Sequence, residues 1–243
     1  MNLLRKDLSD MRIDKFLCNS GFGSRTDVNK LLKSGRVKVN NQIVKNKDMK
    51  IDEYVDYIYV DGVKIEYDEF HYIMMNKPAN YVTSTKDTDP TVMELLGEYD
   101  KYNVVPVGRL DKDTEGLLLF TNDGILAHNL TSPKKHVEKT YYVELDVEIK
   151  QEYIEIFKQG VILDDGYHTL PSKLEILDSH HIYLTIMEGK FHQVKRMMEA
   201  INNKVKYLKR ISFGPLILDQ KLELGECRKL TKEEIEQLLK HKK

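Results

Sequence analysis

The sequence predicts an α+β protein of two domains, the second built on a mixed, mainly antiparallel sheet with flanking helices. Three observations lead there. The chain of 243 residues is too long for one small core and short for three. Strand-like and helix-like segments follow one another from His71 onward. The charge also reverses sharply near residue 50: residues 11–50 hold ten Lys/Arg against three Asp/Glu, and residues 51–70 hold one Lys against seven acids.

Met1 to Asp10 carries no periodic pattern and is expected to be poorly ordered, so the first domain begins at Met11. Ile13, Phe16 and Leu17 have helical spacing, and the Gly-Phe-Gly at 21–23 breaks that helix. Ser24 with Asp27 resembles a capping box that opens a second helix through Val28, Leu31 and Leu32, closed by Gly35. Val37, Val39, Ile43 and Val44 flank Asn40-Asn41 as a short hairpin. The result is a compact α+β unit with a cationic face over 11–57, followed by an acidic linker with some strand over 58–70. In the second domain, 71–243, strands are expected at His71–Asn76, Gly116–Thr121, Lys139–Asp146 and Ile182–Met187. Helices are expected near 123–130, 151–158, 192–201 and 232–240, the last opened by Thr231 and Glu234.

Composition excludes several classes. At 41% hydrophobic and 32% charged residues, the chain is that of a folded protein. No apolar run approaches the roughly 20 residues of a membrane-spanning helix, and MNLLRKDLSD lacks the apolar centre of a signal peptide, so a cytoplasmic protein without membrane contact is expected. Cys18 and Cys227 stand far apart, which excludes a disulfide framework and a cysteine-based zinc site. The net charge of −1 hides a second basic block, residues 189–210, with seven Lys/Arg against Glu199 alone. Such blocks are the footprint of a phosphate-bearing partner, though charge alone fits a solvated surface equally well.

Three segments carry chemistry. Gly108 to Gly116, GRLDKDTEG, sets four charged side chains and an arginine on a glycine-bounded loop before an apolar strand, where a rigid scaffold displays reactive groups. Asp111, Asp113, Glu115 and Gly116 also occupy calcium-loop places 1, 3, 5 and 6, but Asn122 stands where the bidentate Glu belongs and the flanks read as strands. In EGKFHQVKRMM, Val194, Met197, Met198 and Ile201 form a buried helix face, with His192, Lys195, Arg196 and Glu199 opposite. In KTYYVE the adjacent Tyr141 and Tyr142 point to opposite sheet faces, one toward core and one toward a cleft.

Together with MRIDKFL, SRTDVNKLLKSGRVKVN, MNKPANYVTSTKD and SPKKHVEKTYYVELD, these segments resemble the pseudouridine synthases, specifically the RsuA branch acting on small-subunit ribosomal RNA. The N-terminal part resembles an S4 RNA-binding domain, and the likeness runs from Met11 to about Leu239. The resemblance implies a cofactor-free, metal-free isomerisation in which a uridine is flipped out and Asp111 is the catalytic carboxylate, with Lys195 as its ion-pair partner and Tyr141 stacking on the uracil. It places Arg109, Leu110, His192, Val194 and Arg196 against the substrate, Arg109 filling the vacated stack and Val194 forming an apolar wall. Arg12, Lys15, Arg25, Lys30, Lys33, Arg36 and Lys38 are then the S4 contacts to phosphates. It further implies a monomer acting on a partly assembled small subunit. Relatives acting on the large subunit share the S4 unit and GRLD; HQVKRM and TLPSKLE favour the small-subunit branch. A non-catalytic S4 protein is the rival from another class, against which stand Asp111, Tyr141 and Lys195 all being present. Glu115 departs from the branch pattern and would raise the Asp111 pKa if the two were close.

Overall fold

The computed structural model describes residues 11–242, so the extension expected over residues 1–10 lies outside the described residues. The chain divides into two compact units: residues 11–71 with 98–104, and residues 72–97 with 105–242.

In the first unit, β1 (Met11–Arg12) leads into α1 (Ile13–Asn19), whose Ile13, Phe16 and Leu17 are buried. The Ser24 hydroxyl accepts from the Asp27 N–H, and the Asp27 carboxylate accepts from the Ser24 N–H, starting α2 (Arg25–Lys33) as a reciprocal cap. β2 (Val37–Val39) and β3 (Gln42–Ile43) turn through Asn40 and Asn41, both at positive φ, the geometry that suits the twist of a two-residue hairpin. β4 (Lys50–Ile51) pairs back onto β1. β5 (Ile58–Val60) and β6 (Val63–Lys64) complete a sheet in the order β3-β2-β5-β6.

That sheet corrects the expected boundary. Residues 58–64 are not linker: Ile58 and Val60 alternate with Tyr59 and bury themselves beside Val37 and Val39, finishing a core that residues 11–57 alone leave open. The acidic segment also has a definite electrostatic place. Asp61, at the β5-β6 turn, accepts two hydrogen bonds from Arg36, which holds its carboxyl below the usual range. Arg12 is paired in turn with Asp14 at 2.7 Å and Asp48 at 2.6 Å. Lys15, Arg25, Lys30, Lys33 and Lys38 are exposed and make no ion pair among the described residues.

The second unit is one sheet in the order β11-β12-β10-β13-β9-β7-β15, formed by β7 (Tyr72–Lys77), β9 (Glu115–Thr121), β10 (Lys139–Leu145), β11 (Lys173–Ile176), β12 (His181–Ile186), β13 (Val205–Phe213) and β15 (Cys227–Lys229). The short β8 (Val105–Pro106) pairs with β9, and β14 (Leu216–Ile217) with β13. All pairings are antiparallel except β13 with β9, which makes the sheet mixed as expected. α3 (Gly124–Thr131), α4 (Glu152–Gln159), α5 (Gln193–Glu199) and α6 (Lys232–Leu239) flank it, α6 capped reciprocally by Thr231 and Glu234.

β13 has no counterpart in the sequence reading. Its side chains, VKYLKRISF, set Lys and Arg among the apolar residues, and a register shift opposite Thr140/Tyr141 breaks the alternation by which a strand is recognised. Arg210 on β13 lies opposite Tyr141 of β10 on one side and Gly116 of β9 on the other. At Gly116, φ is +104°, and a Cβ there would stand 2.3 Å from the Arg210 carbonyl oxygen. Gly116→Ala therefore strains its own backbone and collides with β13, so urea denaturation is expected to show a loss of about 3 kcal/mol or more. Gly124→Ala, in open space at the start of α3, is expected to change stability by less than about 1 kcal/mol.

Candidate active site

The loop before β9 owes its shape to groups buried beneath it. Lys77, the last residue of β7, is fully buried, and its ammonium donates to the carbonyl oxygens of Pro78 at 3.0 Å, Asp111 at 3.1 Å, Lys112 at 3.3 Å and Thr114 at 2.8 Å. Burial pushes this amine down to about 8 against the attraction of Asp113, Asp111 and Glu115. The Thr83 hydroxyl donates to the Leu110 carbonyl at 2.8 Å and accepts from the Leu110 N–H at 3.1 Å. The Asn80 N–H donates to the Lys112 carbonyl at 2.7 Å. Asp111 is thus held through its own carbonyl and through the residues before and after it.

The Asp111 carboxylate, about a third exposed, has Lys195 Nζ at 3.5 Å and His192 Nε2 at 3.7 Å. Lys195 is shared, and its closer partner is Asp113, at 2.6 and 2.8 Å to the two carboxylate oxygens. Burial raises the Asp113 pKa, but the hydrogen bond and charge of Lys195 outweigh it and leave the group below the usual carboxylate range. The expected Lys195 and Asp111 pair is therefore present as the looser arm of a three-member network. His192 sits at the start of α5 with φ +48°, its ring stacked on Phe191 at 3.8 Å.

Two adjoining hollows meet at Asp111. The smaller, about 70 Å³, is walled by Leu110, Tyr141, Ile186, Val194 and Leu208, with Asp111 and Lys195 at its edge. The larger cleft, about 600 Å³, is lined among others by Arg109, His192, Lys139 and Arg210. Tyr141 belongs to both and is 8% exposed, while Tyr142 takes the opposite sheet face and packs on His181 at 5.7 Å. Arg109 is exposed at the rim.

Arg196 is the exception among the expected substrate contacts. One residue round the helix from Lys195, it pairs with Asp164 at 2.5 Å and Asp165 at 2.7 Å and lines neither hollow. Glu115 is also turned aside: it accepts from the Tyr207 hydroxyl at 2.5 Å, and burial first, then that bond, push the phenol pKa up. With Asp113 on Lys195 and Glu115 on Tyr207, the calcium-loop places diverge, and no cluster of three His, Cys, Asp or Glu among the described residues is arranged to hold a metal.

Several members of the site escaped the sequence reading. Lys77 and Thr83 act from below the loop, and the signal for Lys77 was a lysine ending the fully buried run YIMMNK. Glu188 is 5% exposed and accepts from the Tyr167 hydroxyl at 2.7 Å, the Leu170 N–H at 3.0 Å and the Gln193 amide at 2.8 Å. The Gln193 side-chain oxygen accepts from the Lys190 N–H, which sets the start of α5 and hence the aim of Lys195.

Lys77→Met would leave the carbonyls of Pro78, Asp111, Lys112 and Thr114 without their shared donor, the last of them buried. Urea denaturation is expected to report a loss of about 3 kcal/mol or more. Lys112→Met, which removes only a half-exposed ion pair to Asp89, should stay within about 1 kcal/mol of wild type.

Comparison with known proteins identifies the family. The family model described as RNA pseudouridylate synthase matches residues 71–200, and the S4 domain model matches residues 11–53. The chain is 48% identical over 231 residues to the Bacillus subtilis (strain 168) protein named "Uncharacterized RNA pseudouridine synthase YtzG", covering 93% of this chain and 97% of that one. It is 40% identical over 232 residues to the Haemophilus influenzae "Ribosomal small subunit pseudouridine synthase A", covering 95% and 100%. A solved structure, "Crystal structure of pseudouridylate synthase", superposes with a TM-score of 0.67 at 40% identity, covering 94% of this chain and 99% of that one. With its S4 domain ahead of a loop that holds Asp111 against Lys195 and Tyr141, the chain belongs to the RNA pseudouridylate synthase family.

Proposed function

We propose that the protein converts a uridine of small-subunit ribosomal RNA to pseudouridine, with Asp111 as the catalytic carboxylate. The observation that carries this reading is the placement of Asp111 on an immobilised loop at the mouth of an apolar compartment that also presents Tyr141 and Lys195. The Haemophilus influenzae relative, and relatives from Vibrio parahaemolyticus and Vibrio cholerae at 42% and 43% identity, carry the small-subunit name over nearly their whole length.

The reaction balances without an oxidant or a second substrate. The C1′–N1 bond breaks, the detached uracil turns, C5 bonds to C1′, the hydrogen on C5 leaves as a proton and N1 gains one. Asp111 either adds to an electron-poor carbon or traps the cationic sugar, and both routes divide one hard step into easier ones. Lys195 sets a positive charge 3.5 Å from the Asp111 carboxylate while pairing more closely, at 2.6 Å, with Asp113. Tyr141 stacks on the uracil, and Leu110 and Val194 supply apolar walls. Extruding the base from folded RNA costs a few kcal/mol, and Arg109, exposed beside the cleft, enters the stack it leaves. The exposed lysines of the first unit bind phosphates and orient the RNA. In this reading the protein works in the cytoplasm as a monomer on partly assembled subunits.

Incubated with unmodified ribosomal RNA of both subunits, wild type is expected to produce pseudouridine at one small-subunit position, mapped at single-nucleotide resolution, and Asp111→Asn none. Modification confined to large-subunit RNA would overturn the target, and equal modification by Asp111→Asn would overturn the nucleophile. Asp113→Asn, which releases Lys195 toward Asp111, should retain kcat/KM within about tenfold. Replacing Lys30 and Lys33 by Gln is expected to lower the slope of log affinity against log salt by about 1.4 to 1.8, which titration between 50 and 200 mM salt reads directly.

A further inference from the structure

Two cations on the cleft wall have no part in the chemistry above. On β10, Lys139 lies opposite Phe213 of β13, and two residues further Tyr141 lies opposite Arg210, so that all four share the sheet face lining the larger cleft. Arg210 is 2% exposed; its Nε donates to the Leu117 carbonyl at 2.9 Å and its guanidinium carbon sits 4.8 Å from the Phe213 ring centre. Its Nη2 is buried without any acceptor. Lys139 Nζ lies 5.6 Å from the same ring on its way to the Val137 carbonyl. Among the described residues neither cation makes an ion pair. Glu188 attracts Lys139, but its oxygens are already taken by Tyr167, Leu170 and Gln193. Burial, and then the neighbouring guanidinium, push Lys139 down to about 8.

A buried guanidinium nitrogen with nothing to donate to, beside a second cation and with no carboxylate in an ion pair with either among the described residues, is an unfavourable arrangement in the free protein. A ligand that brings an anionic oxygen relieves it. The anions of an RNA are its phosphodiesters, and a nucleotide drawn into the compartment behind Tyr141 brings one on each side of its sugar. Tyr141 lines both hollows, and Arg210 is its cross-strand neighbour, so the two cations lie next to the compartment that receives the base. We infer that Lys139 and Arg210 form an anion subsite that holds one phosphodiester flanking the flipped uridine, with Phe213 as the apolar floor between them. The guanidinium gives direction and the ammonium gives charge, a division suited to a tetrahedral group reached from one side. The subsite thereby couples extrusion of the base to relief of a charge left unpaired in the free enzyme.

The inference rests on a uridine entering the small compartment, not on which RNA carries it. The modified uridine is first located in RNA of both subunits, so failure of the small-subunit reading moves the position of the probe and leaves the comparison intact. RNA fragments are then made with one neutral methylphosphonate linkage, 5′ or 3′ of that uridine. Wild type is expected to lose about 10- to 100-fold in kcat/KM with one of the two linkages and little with the other. Lys139→Gln should lose a similar factor on natural RNA, and the two losses should not multiply when combined. Lys139→Arg should recover most of the activity on natural RNA. Because Lys139 is only half-buried, its variants keep the fold, which a thermal melt verifies; Arg210→Lys, tested where it remains folded, should couple to the same linkage. Multiplying losses, or indifference of wild type to both linkages, would overturn the subsite.

Discussion

One buried ammonium orders the reactive end of this molecule. Lys77 gathers the carbonyls of Pro78, Asp111, Lys112 and Thr114 around a single charge, drawing a loop that has no regular secondary structure onto the end of the central sheet. The neighbouring constraints reinforce it. Thr83 fastens Leu110 on both its backbone groups, and Gly116 lets β9 run against Arg210 at a distance that excludes a side chain. The price is a desolvated lysine, tolerated because carbonyl oxygens replace its water and three carboxylates stand nearby. Asp111, the proposed catalytic carboxylate, is fixed through its backbone, so its side chain is not needed to hold the loop.

The charges around the cleft divide into those already matched and those left open. Lys195 is held between two aspartates, and Arg196 is spent on Asp164 and Asp165 in fixing a neighbouring loop. Arg36 and Arg12 are likewise occupied in the first unit. Against these, among the described residues, the exposed lysines of α2 and the Lys139 and Arg210 pair make no ion pair with a carboxylate. An RNA-binding protein with a net charge of −1 can work in this way because its acids are placed beside the cations that have structural duties.

Much of this was legible in the sequence where a local rule decides the outcome. Ser24 with Asp27, Thr231 with Glu234, and Asn40-Asn41 each specify a cap or turn through contacts within four residues, and each formed as read. The mixed sheet was legible in the order of strand-like and helix-like segments, and the gathering of Asp111, Tyr141, Val194 and Lys195 through the resemblance. What was not legible depends on contacts far along the chain. Lys77 reaches a loop more than thirty residues away. β13 hides its strand character behind a register shift and a buried arginine. The acids at 58–70 read as a linker because their charge masked Ile58 and Val60, which belong to the first core. Arg196 was grouped with Lys195 on helical spacing, and only the loop that brings Asp164 and Asp165 alongside separates their duties.

The claim on which the account turns is that the Lys77 cage positions Asp111 for chemistry rather than merely stabilising the fold. The direct measurement is the single-turnover rate of Lys77→Met on saturating substrate RNA, at a temperature where the variant is shown by circular dichroism to be folded. The account predicts a rate lower than wild type by about 100-fold, the size of effect that follows from a misplaced reacting group, with RNA affinity changed less than about threefold. A folded variant that turns over at the wild-type rate would contradict it.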